Sequence, residues 1–85
     1  MLIVNGNHPT SRYITINLDY IYQIFVFQEN SGGYSVCLGI CAGKSVTYFN
    51  IVTYKTEKRA EKEIDNILEA YANNERVYFI KEENE

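Results

Sequence analysis

The sequence predicts a small α+β domain, with an antiparallel sheet of four to five strands, one amphipathic C-terminal helix packed on it, and a short final strand. Three observations predict it. Residues 1–54 are rich in Tyr, Ile, Val, Phe, Thr and Asn and carry only Arg12, Lys44, Asp19 and Glu29 as charges; such residues largely favour strands. Residues 55–85 hold six basic and nine acidic residues among Ala and Leu, a composition that favours helix. At that boundary the apolar spacing changes from the period of a strand to that of a helix. A lone amphipathic helix has only the sheet to bury its stripe against, so the 85 residues form one domain, 1–85.

The elements follow in order. Met1–Asn5 is a short strand, and residues 6–11, Gly-Asn-His-Pro-Thr-Ser, are a turn cluster. Arg12–Leu18 alternates, with Ile14, Ile16 and Leu18 on one face. Asp19 marks a kink or bulge, and Tyr20–Gln28 is a continuous apolar run whose facing the alternation does not assign. Residues 29–33, Glu-Asn-Ser-Gly-Gly, are a hairpin loop. Tyr34–Ala42 and Ser45–Tyr54 are antiparallel neighbours joined by the tight turn Gly43-Lys44. The strands thus fill about residues 1–54. A helix follows over about residues 57–73, with Thr56 as N-cap. Ala60, Ile64, Ile67, Leu68 and Tyr71 form its stripe, and Arg59 and Glu63 are a pair on its outer face. Asn73-Asn74 ends it, a final strand covers about residues 77–81, and a charged tail closes the chain.

Composition excludes some classes of function. With 46% hydrophobic and 22% charged residues the chain is globular rather than disordered. A net charge of −3 argues against direct nucleic-acid binding by phosphate neutralisation. No apolar run reaches the length of a membrane span, and the N-terminus lacks the basic and apolar regions of a leader, so the expected place is the cytoplasm and no membrane partner is expected. A core of this size is marginal, and a homodimer burying one sheet face would relieve it.

The stretch Ile16-Asn17-Leu18-Asp19-Tyr20-Ile21, the glycine-bearing hairpin, and Tyr54-Lys55-Thr56-Glu57-Lys58-Arg59-Ala60 opening a helix together resemble a group of small proteins from phages and prophages of low-GC Gram-positive bacteria. Those run as an "INLDNV" strand, two more strands, a "Y-x-T-E-E-R-A" helix start and a closing aromatic strand, here Val77-Tyr78-Phe79-Ile80. The resemblance covers most of the chain. It implies a half-barrel of pleckstrin-homology type capped by a helix, and a cytoplasmic place in the infected host cell. Some phage proteins of this size block host defence, CRISPR nucleases included. Asn50 and the pair Cys37 and Cys41 depart from the pattern.

Several constellations invite chemistry. Cys37 and Cys41 share a face of one strand but lie about 13 Å apart at a strand's rise per residue. A disulfide needs Cα atoms within about 7 Å and zinc binds each sulfur at about 2.3 Å, so only a bend at Gly39 unites them. His8 would be a further ligand. No metal is favoured, and the two cysteines read as small packing residues. In the same strand Tyr34, Val36, Leu38, Ile40 and Ala42 make one large apolar face, and Ser35, Cys37, Gly39, Cys41 and Gly43 a small one. The small face admits close approach by a helix or by a partner chain, and the domain's own helix is the expected occupant, with a partner surface as the alternative. Ala42-Gly43-Lys44-Ser45 imitates the end of a P-loop, but the spacing is one short and no helix follows.

Eight tyrosines offer apolar area with a polar tip. With so few charges before residue 55 they favour a protein-binding surface over a catalytic cleft. The expectation is a non-enzymatic inhibitor that contacts a host protein, such as a defence nuclease, through Tyr20, Tyr22 and Tyr48. The helix carboxylates Glu61 and Asp65 would occupy a basic groove on it. No catalytic residue and no cofactor is expected. The alternatives are a small zinc domain built on Cys37 and Cys41, and a small-molecule binder or sponge with its pocket between helix and sheet.

Overall fold

The change of composition after residue 54 is a change of structure. A computed structural model of the chain describes residues 1–6 and 14–83. Its strands are β1 (Leu2–Asn5), β2 (Ile14–Asn17), β3 (Ile21–Gln28), β4 (Tyr34–Ala42), β5 (Ser45–Tyr54) and β6 (Val77–Phe79), with the helix α1 (Glu57–Ala72) between β5 and β6. A single 3-10 turn, Leu18–Tyr20, stands where Asp19 signals a kink, with the Asn17 side chain accepting from the Asp19 N–H.

The α+β class is as predicted, but the strands do not form one antiparallel sheet. They form two sheets of three, in the orders β2-β1-β6 and β3-β4-β5. The first is mixed, because β1 pairs antiparallel with β2 and parallel with β6. A parallel neighbour needs a long crossover, and here everything from β2 to α1 supplies it. Such pairing between the two ends of a chain leaves no mark in local sequence.

The second sheet is a meander, and its hairpins are the ones the glycines announce. The β3–β4 loop closes with the Glu29 N–H donating to the Gly33 carbonyl at 2.8 Å, and Gly32 takes φ +102° there. In the β4–β5 turn Gly43 takes φ +63°, a region where a side chain is strained. Two bulges break the alternation. Tyr22 is an extra residue in β3, so Ile21, Ile24 and Val26 reach the core side together. Ile51 is an extra residue in β5, where the register steps from Val36↔Val52 to Cys37↔Asn50. Ile51 is fully buried and its carbonyl accepts from the Asn5 amide at 2.6 Å, joining the two sheets.

The helix begins at Thr56, whose hydroxyl accepts from the Arg59 N–H at 3.2 Å. It ends where Asn74 takes φ +60°, and asparagine tolerates this region better than most residues. Helix and sheet meet over Val36, Leu38, Ile51, Ala60 and Ile67, none of which retains exposed area. The helix therefore lies on the large apolar face of β4, not on the small one. Close approach does not decide the face; the area removed from water does, at roughly 1.5–3 kcal/mol for each large side chain.

The buried stripe is also rotated from the one predicted. Leu68 and Tyr71 are about half exposed, and Glu63 is fully buried in their place. Its Oε1 accepts from Arg59 Nη1 and from the Asn66 amide, both at 3.2 Å, and its Oε2 accepts from the Tyr78 hydroxyl at 2.8 Å and the Lys81 N–H at 3.0 Å. Arg59 stacks on the Tyr54 ring at 4.3 Å and donates from Nη2 to the Glu82 carbonyl at 2.8 Å. Arg59 and Glu63 thus form an interior pair, not an outer-face one. A side chain that ends in a charge reads as solvated in any count of apolar periods.

Removing one member of such a pair strands the other. Glu63→Ala is expected to cost about 3–5 kcal/mol, the range for breaking a buried ion pair. A urea midpoint within error of the wild type would show that water replaces the carboxylate at no cost.

Candidate functional site

With the helix on one face of the second sheet, its other face is left open. There Ser35, Cys37 and Gly39 of β4 are a floor of small residues, buried without any helix above them. Their own neighbours cover them: Phe25 and Phe27 from β3, and Tyr48, Asn50 and Thr53 from β5. The rings of Phe25 and Tyr48 meet edge to face at 5.8 Å and 78°. A Cβ on Gly39 would stand 3.0 Å from Tyr48 Cε1, so the missing side chain is what lets Tyr48 fold inward. Together Gln23, Phe25, Phe27, Cys37, Tyr48 and Asn50 line an open groove of about 400 Å³. Its walls stay wet, with Phe27 at 49% exposure and Tyr48 at 54%.

One end of the floor is polar and hydrogen-bonded within the chain. Glu29 Oε1 accepts from the Ser35 hydroxyl at 2.7 Å and the Asn50 amide at 2.6 Å. The Ser35 and Thr53 hydroxyls are bonded at 2.7 Å, and the Cys37 thiol donates to Asn50 Oδ1 at 2.8 Å. Burial, then the charge of Glu29, pushes the Cys37 thiol up to about 11. A thiol held protonated is a poor nucleophile and a poor metal ligand.

Of the residues predicted from sequence, Tyr48 lies on this face. Tyr20, in the 3-10 turn, and Tyr22, in the β3 bulge, are exposed at 74% and 66%. Glu61 and Asp65 are exposed on α1 and, with Glu57, Val26 and Ile64, line a second groove of about 320 Å³. That groove runs beside the helix, on the opposite side of the sheet from Tyr48. The predicted set is thus divided between two surfaces that meet at β3. Phe25, Phe27, Glu29 and Glu57 belong to the two surfaces and are not in that set. The Tyr22 bulge hides the first two by breaking the alternation that would show them facing outward.

Cys37 and Cys41 are free thiols on an unbroken strand, the first buried and the second exposed. Cys41 is therefore not a packing residue. His8 lies outside the described residues, and among the described residues no three His, Cys, Asp or Glu side chains gather as a metal site would need. The centre of the helix–sheet interface is filled by core side chains, and the groove of Val26, Glu57, Glu61, Ile64 and Asp65 opens at its margin, between α1 and β3. Lys44 sits in a two-residue hairpin turn. Among the described residues no helix is long and apolar enough to cross a membrane.

Glu63, with Tyr54, Tyr78 and Arg59 around it, has the parts of an active site but not the vacancy. A carboxylate offers about four lone-pair positions, and four donors of this chain occupy them. Burial, then the charge of Glu63, raises the Tyr54 phenol well above its usual 10. Burial and the hydrogen bond to Glu63 do the same for Tyr78. These groups hold the fold. The two grooves beside β3 are among the surfaces that the described residues offer to another molecule.

The described residues therefore form an α+β fold of two three-stranded sheets and one helix. No protein family, curated protein or solved structure matches the chain.

Two outcomes follow from the titrating groups. Ellman's reagent at pH 8 is expected to label one thiol quickly, Cys41, and the second only on unfolding; two equal fast phases would contradict a sealed floor. Tyr54 and Tyr78 stay protonated above the pH at which the unfolded chain releases those protons, so the unfolded state binds fewer protons and stability falls with alkalinity. The loss starts above about pH 10, with a slope of at most about 1.4 kcal/mol per pH unit for each tyrosine. Thermal melts of Tyr54→Phe should show a shallower decline there than wild type; an unchanged slope would remove Tyr54 from the linkage.

Proposed function

We propose that this chain is a non-enzymatic protein-binding module that meets its partner with the β3 side of the domain. The observation that carries this is the open face of the second sheet. Its aromatic walls are half exposed while its polar floor is satisfied within the chain. Water is therefore easily displaced from the walls, and Ser35, Cys37 and Asn50 keep hydrogen-bond partners of this chain when it leaves. Exposed aromatic residues around a closed centre are the usual anchors of protein contact.

Charge says which partner fits. Glu57, Glu61 and Asp65 form no ion pair among the described residues, so they favour a partner with a basic surface and speed its approach. An inhibitor that occupies the basic groove of a host defence nuclease, a CRISPR effector for example, has these features. The resemblance to small phage proteins supports that narrower identity.

The test is capture from host lysate by wild type and by two double variants, Phe27→Ser with Tyr48→Ser and Glu61→Lys with Asp65→Lys. One protein retained by wild type should fall by about thirtyfold with the aromatic variant, the loss of a binding hot spot. It should weaken with the charge variant and with added salt. A partner held equally by all three forms would place the contact elsewhere. A wild-type dimer that dissociates on Phe27→Ser would mean that a second copy occupies the face.

A further inference from the structure

The two surfaces share one element, and that element has an unused edge. β3 is the outermost strand of its sheet. From Gln23 to Gln28 it runs in unbroken register against β4, and among the described residues no other backbone bond reaches it. Alternate residues of an antiparallel edge turn both N–H and C=O outward. Edges are normally guarded by charge, proline or cover. Ile21–Gln28 has no charged residue, no proline and no glycine, and its bulge is confined to Tyr22, at one end.

Beside that edge runs the groove lined by Val26, Ile64, Glu57, Glu61 and Asp65. The three carboxylates are spaced four residues apart on α1, which is about 6 Å along a helix. Side chains on one face of an extended strand repeat at about 6.7 Å. An extended chain along β3 turns every second side chain to the helix side of the sheet, where these carboxylates stand.

We propose that β3 receives an added strand from the partner: an extended segment with Lys or Arg at alternate positions. Its backbone pairs with the free edge of Gln23–Gln28, its basic side chains lie over Glu57, Glu61 and Asp65, and the intervening side chains turn to the face of Phe25 and Phe27. This rests on the protein-binding function proposed above and specifies the partner's chemistry and its mode of attachment. The same row disfavours a second copy as occupant. Two β3 strands paired antiparallel about a two-fold axis place both helices on one side of the joined sheet. Their carboxylate rows then face each other, which like charge disfavours.

The probe is an acetylated, amidated peptide of about seven residues, with lysine alternating with threonine and valine. Three partners of the probe complete the set: one with glutamate for lysine, and two methylated on alternate backbone nitrogens, one on each edge. NMR hydrogen exchange and titration on the intact protein read the result. The lysine peptide should bind about tenfold or more tighter than the glutamate peptide, and protect alternate amides within Gln23–Gln28. One methylated peptide should lose about tenfold while the other keeps its affinity, because only one edge of an added strand pairs. Glu61→Lys with Asp65→Lys should invert the preference for lysine over glutamate.

Equal binding by both methylated peptides, or binding without protection of β3, would reduce the row to a simple charge attraction and overturn the added strand. So would failure of the lysine peptide to bind. If the aromatic double variant still loses the captured protein in that case, the protein-binding function stands without the added strand. Concentration-dependent protection of β3 with no peptide present would assign the edge to a second copy.

Discussion

A carboxylate with no contact with water holds the two halves of this domain together. Burying Glu63 has a desolvation cost of several kcal/mol, and that cost is offset only because each of its four acceptor positions is used. The donors come from separate elements: Arg59 and Asn66 from the helix itself, Tyr78 from β6, and the Lys81 N–H from the segment that follows. β6 has three residues, too few to hold its place by ladder bonds alone. The side-chain bond from Tyr78 and the backbone bond from Lys81 bring it against the helix, while Leu2 and Ile80 tie it to β1. Arg59 extends the same anchor to the tail and to the ring of Tyr54, whose hydroxyl in turn donates to the Lys81 carbonyl at 2.7 Å.

This anchor explains why the sheets were harder to read than the strands. The bounds of β4 and β5 are those the glycine turns announce, and Thr56 marks the helix start, because each is a local matter of backbone conformation or of one side chain meeting a nearby N–H. The partition into two sheets is not local. It depends on β6 returning to β1, and the residue that brings it there is a glutamate in a helix full of glutamates. Helical spacing places Glu63 beside Ala60 and Ile67, and Glu61 and Asp65 away from them; what spacing does not show is that four donors meet a carboxylate there. The candidate site divides in the same way. Tyr48 and the acidic row were legible as residue types in a pattern, whereas their separation by the thickness of the sheet follows from which face the helix covers. Phe25 and Phe27 were hidden by one inserted residue, Tyr22.

The faces of the second sheet are assigned by a competition between area and closeness. The small face of β4 would let a helix approach, but Val36 and Leu38 on the other face offer more apolar surface to remove from water. The helix takes the larger gain, and the small face is left to its own neighbours. Gly39 then has a different use from the one a small-residue stripe suggests. It makes room for Tyr48, which leans over β4 against Phe25. The face becomes half covered by aromatic rings from its own strands, with a hydrogen-bonded polar end at Glu29 and Asn50.

Why β3 should be the edge that a partner meets, rather than one of the other three, follows from the same architecture. β2 and β6 have four and three residues, which limits the ladder each can form with an added chain. β5 is longer and regular from Ser45 to Asn50, but its bulge interrupts the ladder at Ile51, and the Ile51 carbonyl is already taken by Asn5. β3 alone combines a regular run of six residues with two dissimilar walls, one aromatic and uncharged, the other acidic. An added strand presents its side chains alternately to the two sides of a sheet. An edge with unlike walls therefore reads the alternate positions of the incoming chain separately, apolar on one side and basic on the other. Backbone pairing alone holds almost any extended segment; it is the difference between the walls that gives β3 the means to choose among them.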